Sequence, residues 1–146
     1  MVLILSWYTL IEKNGKIIDA AKIGSNDYLY SLFEKFGFHI IDSIYNYLTD
    51  DEMIAGEKNC IKIFNQDTFE NILRFYFRIS EELFNANPGI INDLNNGLIY
   101  SDYSDETWMY SIAITISKFI RKARAIAEEL VFRYVKGEEI FESRSK

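Results

Sequence analysis

The sequence predicts an α+β fold, mainly helical, with three long helices packed around a small sheet. Three observations carry this. An Asn-Gly dipeptide, Asn14-Gly15, joins two runs rich in strand formers near the start. Long stretches with apolar residues three and four apart follow it. Only one Pro and seven Gly interrupt the 146 residues.

Residues 2–12 and 16–20 read as a β-hairpin, because both central residues of its tight turn need positive φ, which Asn and Gly tolerate. Ser25, Asn26 and Asp27 then offer N-cap oxygens. Leu29, Phe33, Phe36, Ile40, Ile44, Tyr47 and Leu48 keep one face at helical spacing, and the phase holds across Gly37. One helix over about 27–48 is expected, with a kink at Gly37 that would account for Phe38 on the wrong face.

Thr49-Asp50-Asp51-Glu52 opens an acidic loop running to Glu57, and Cys60–Phe64 alternates like a half-buried strand that could pair with the hairpin. Residues 67–85 form the helix expected to be central, since its polar strip is narrow. Within that strip Glu70–Arg74 and Arg78–Glu82 sit four apart. Pro88-Gly89 breaks the pattern, and 90–104 reads as a polar loop with one short helical turn. Ser104 or Asp105 caps a last helix over about 105–136, closed by Gly137, with a core stripe from Trp108 to Tyr134. The charged tail from Glu138 is expected to fray. Length and the lack of any linker or repeat point to a single domain over 1–146.

Apolar residues make up 49% of the chain and aromatics 16%, a composition able to fill one ring-rich core. Cys60 is the only cysteine, so no disulfide can staple the fold. The apolar start is cut off by Glu12 and Lys13 and lacks a basic leader, so a cytoplasmic location and no membrane association are expected. The net charge is −6, placed unevenly. Residues 40–110 hold thirteen acids against Lys58, Lys62, Arg74 and Arg78, while 111–146 carry eight bases against five acids. The acidic middle would repel a phosphate backbone, which argues against direct nucleic-acid binding and for a basic protein partner.

No motif for chemistry stands out. His39 is the only histidine, too few for a Cys/His zinc site. A Cys60–His39 nucleophile pair has no support in the flanking residues. The glycines form neither a phosphate-holding loop nor a nucleophile elbow. Glu81, Glu82, Glu128 and Glu129 fall on outer helix faces, which leaves a carboxylate-dependent metal hydrolase as a weak alternative. The sequence therefore assigns no catalytic residue, no metal ligand and no cofactor.

The expectation is a non-enzymatic protein-binding domain, an intracellular inhibitor of the immunity or antitoxin kind that neutralises a basic toxin or nuclease. Its partner-facing residues would be Asp50, Asp51, Glu52, Glu57, Tyr100, Asp102, Tyr103, Asp105 and Glu106, forming one patch if the two acidic segments share an end of the helices. The alternative is a homo-oligomeric module, with a homodimer joined through a second line on the last helix: Ile114, Arg121, Ala125 and Phe132.

Overall fold

The computed structural model describes residues 5–22, 28–96 and 103–136. Strand β1 (Leu5–Lys13) turns at Asn14 and Gly15, whose φ values of 52° and 80° suit a two-residue hairpin turn, into β2 (Lys16–Lys22). The predicted hairpin is therefore present, with a register shift between Ile11 and Glu12.

Helix α1 (Tyr28–Lys35) ends where one continuous helix was expected. Gly37 adopts φ 89°, its N–H donates to Glu34 O at 3.0 Å, and the Phe38 N–H donates to Phe33 O at 2.8 Å. This is the left-handed C-cap that glycine makes without a Cβ penalty. Phe38 then stacks edge-on against Phe33, with ring centroids 6.4 Å apart. The chain restarts as α2 (Ile40–Tyr47), which buries Ile40, Ile41 and Ile44 in the same core as Phe33. Two helices facing one core keep a common apolar spacing, so the phase across Gly37 concealed the break.

The expected acidic loop is instead a short helix, α3 (Asp50–Ala55), followed by strand β3 (Cys60–Ile63). The central helix α4 (Gln66–Ala86) matches its prediction and buries Phe69, Ile72, Phe75, Tyr76, Ile79 and Leu83. Glu70 and Arg74 pair along its outer strip at 3.4 Å. After the turn at Pro88 comes α5 (Ile90–Asn95), the expected short helical piece.

Helix α6 spans Asp105–Ala125, not 105–136. Ala127 takes φ 56°, its N–H donates to Arg124 O, and the Glu128 N–H donates to Ala123 O at 3.0 Å. The motif that ends α1 thus recurs with alanine in the glycine position. Beyond it the chain is strand β4 (Glu129–Lys136), so Leu130, Phe132 and Tyr134 belong to a sheet and not to a helix stripe.

The sheet is antiparallel with order β2-β1-β4-β3. The third strand thus pairs with β4 and not with the hairpin. Alternation sends Ile11, Ile61, Ile63, Leu130 and Phe132 to the face covered by helices. Tyr8, Leu10, Cys60 and Val131 form a smaller cluster on the other face. Arg124, at the end of α6, bonds Gln66 and Glu70 at the start of α4, whereas Ser104, at the start of α6, bonds Asn87 at the end of α4. The two long helices are therefore antiparallel. No helix among the described residues is long and apolar enough to cross a membrane.

Candidate functional site

Helix α3 buries a glutamate and exposes an isoleucine. Thr49 caps it, accepting from the Glu52 N–H, while Glu52 Oε1 accepts from the Thr49 N–H at 3.1 Å. Glu52 Oε2 also accepts from the Phe64 and Asn65 N–H groups at 2.9 and 3.1 Å, and Oε1 takes the Thr68 hydroxyl. Burial pushes this carboxyl up, but bonds from Thr68, Thr49, Phe64 and Asn65 outweigh it and hold it below the ordinary glutamate range. Glu52 is fully buried, so it ties α3 to the start of α4 and is not a partner-facing residue.

With Glu52 turned inward, the outer side of α3 presents Met53 and Ile54, which are 50% and 84% exposed. Asp50, Asp51 and Glu57 are exposed around them. The Asp51 carboxyl lies below the ordinary range, chiefly through its bond with the Thr49 hydroxyl, helped by Asn65, and so stays ionised. A cleft of about 270 Å³ runs beneath, walled by Tyr45, Leu48, Met53, Glu57 and Lys58.

A second cleft, about 370 Å³, opens beside it at the start of α4, between the hairpin turn and the α6–β4 turn. Phe64, Phe69, Glu12, Glu128 and Glu129 line it. Glu12 is buried and receives a two-pronged bond from Arg133, at 3.1 and 3.2 Å. Burial lowers the Arg133 pKa but the Glu12 bond and charge more than restore it. Lys13 approaches Glu128 at 3.7 Å. Phe64 ties the second cleft to the Glu52 node, since its N–H is held by Glu52 while it walls that cleft. The start of α4 is consequently an acidic end, with apolar side chains at its centre.

The other described residues of the expected patch lie elsewhere. Tyr100 and Asp102 fall outside the described residues. Asp105 and Glu106 start α6 and Tyr103 precedes its N-cap, where Ser104 accepts from the Thr107 N–H and Thr107 donates to Asp93 at 2.8 Å. This is the far end of α4, whose 21 residues span about 30 Å at the α-helical rise. Among the described residues, the two acidic segments thus do not form one patch.

The expected self-association line is also divided. Ile114 is half-buried and Ala125 exposed on α6, and the Arg121 guanidinium lies over the Phe77 ring at 5.0 Å. Phe132, by contrast, is a fully buried core residue of β4. Glu81 and Glu82 are exposed near the end of α4, whereas Glu128 and Glu129 lie by its start, so the carboxylates of the hydrolase alternative do not share a site. No group of three or more His, Cys, Asp or Glu among the described residues is placed to hold a metal ion. His39 is exposed and bonded to Glu34, while Cys60 is buried in the sheet with its thiol pushed up by burial. They make no nucleophile pair.

Met53, Ile54 and Phe64 were missed as surface residues. The Thr49-x-x-Glu52 spacing was the signal available, since it is that of a capping box and turns the glutamate back toward its own helix start. Compared with protein families, curated proteins and solved structures, the chain matches none of them.

Proposed function

We propose that this chain is a non-enzymatic protein-binding domain acting in the cytoplasm, an inhibitor of the immunity or antitoxin kind that covers the positively charged site of a basic toxin or nuclease. One observation carries the reading: Ile54, 84% exposed, stands with Met53 on α3 among Asp50, Asp51 and Glu57. Exposing an isoleucine so fully has a solvation cost that burial against a partner would remove, at roughly 25 cal/mol for each Å² of apolar surface covered. The surrounding carboxylates add no comparable affinity. They speed encounter with a basic surface and disfavour acidic ones. The carboxylates of the neighbouring cleft, Glu128 and Glu129, extend the same field.

The test is capture of the partner by the tagged chain from its host's lysate at low salt. A stoichiometric basic protein should be retained, released by high salt and lost with Ile54→Asp. Retention of the same protein by that variant would refute the assignment of α3 as the contact.

A further inference from the structure

A surface of the opposite character lies on the same chain, along the edge shared by α4 and α6. Phe77 and Phe84, seven residues apart on α4, are 39% and 38% exposed there. Arg121 covers Phe77 from α6 at 5.0 Å, beside the half-buried Ile114 and the exposed Lys118. Arg74 adds a third cation, already paired with Glu70, and Glu81 is an acid on the same strip. A guanidinium placed over a ring keeps N–H groups for a carboxylate, which can take two of them. The edge therefore offers aromatic area flanked by Arg121 and Lys118, whereas α3 offers aliphatic area rimmed by carboxylates.

The two surfaces cannot meet within one molecule. Glu52 clamps α3 to Phe64, Asn65 and Thr68, so Ile54 is held at the start of α4 and cannot swing onto Phe77 of the same helix. Resting on the reading of α3 as a binding surface, we propose that α3 of one molecule docks on the α4–α6 edge of a second copy. The contact uses different patches on the two molecules. It is therefore head to tail, and each added copy leaves one α3 and one edge open. Asp50 and Asp51 of one copy would pair with Arg121 and Lys118 of the next, and Ile54 would sit against Phe77.

The test mixes two variants that each lose one patch, Ile54→Asp and Phe77→Asp, with Arg121→Glu as a second edge variant. Sedimentation velocity should show the native chain growing in mass with concentration and shrinking with salt. Each variant alone should be monomeric. An equimolar mixture of an α3 variant and an edge variant should give one species of twice the monomer mass, because a single intact contact remains. A mixture that stays monomeric, or a native chain that is monomeric throughout, would overturn the proposal. In the latter case, a basic lysate protein still retained by the native chain and lost with Ile54→Asp would leave the inhibitor reading standing.

Discussion

At the start of α4, one carboxylate, Glu52, collects three backbone N–H groups and the Thr68 hydroxyl, and so fixes α3 with Met53 and Ile54 facing water. At the end of α4, the polar groups form a chain of short links: Asn87 bonds Ser104, Ser104 accepts from the Thr107 N–H, and Thr107 donates to Asp93. The first end concentrates its polar bonding in a buried node and leaves other carboxylates and apolar residues outside. The second spreads its bonding over a helix cap and a half-buried aspartate. Rigid support beneath an exposed apolar cluster is what a preformed binding surface needs, because little ordering is then lost on association. The difference between the ends supports the proposal that recognition lies at the start of α4.

Removing the node should give the largest effect. Glu52→Ala leaves the Phe64 and Asn65 N–H groups and the Thr68 hydroxyl without their acceptor, which should cost about 3 kcal/mol in urea unfolding. The pH dependence has a definite sign. Since the folded pKa lies below the unfolded value of about 4.3, Glu52 stabilises the fold above that pH. That contribution is lost as pH falls through the folded value. Glu52→Gln should therefore flatten the acid limb of the stability profile, and an unchanged limb would remove Glu52 from the account.

The two left-handed helix ends give smaller effects of opposite sign. Gly37→Ala should destabilise by about 1–2 kcal/mol through backbone strain alone, since no atom lies within 4 Å of the added Cβ. Asp93→Ala at the far end should cost about 1 kcal/mol, the loss of one hydrogen bond to the half-buried Asp93. Ala127→Gly should instead stabilise by about 0.5 kcal/mol, relieving an alanine at φ 56°. Thermal or urea unfolding of the four variants orders them. An Asp93 effect as large as that of Glu52 would erase the contrast between the ends.

The same two helix ends show what could be read from the sequence. The hairpin was legible because Asn14-Gly15 names its turn, and α4 because its apolar arc has no competing period. Gly37 was visible as a residue, but Phe33, Ile40 and Ile44 face one core from two helices and mimic a single one. At Ala127 the stop carries no glycine, and Ile126, Leu130 and Tyr134 continue the helical phase while also fitting strand alternation. That error carried Phe132 from the core to a supposed surface, and hid Glu128 and Glu129 from the cleft they line. Of the acidic segment, Asp50, Asp51 and Glu57 are exposed. Glu52 is not, because a charged residue becomes an interior one only when backbone donors distant in sequence, here at 64 and 65, converge on it.

The most direct test compares the two ends in one binding experiment. The tagged native chain, an Ile54→Asp/Asp50→Lys variant and an Asp105→Lys/Glu106→Lys variant would be used in parallel to capture the basic partner at low salt. Capture by the native chain and by the 105/106 variant is expected, with loss confined to the α3 variant. Loss with the 105/106 variant and full capture by the α3 variant would contradict it and move recognition to the other end of α4.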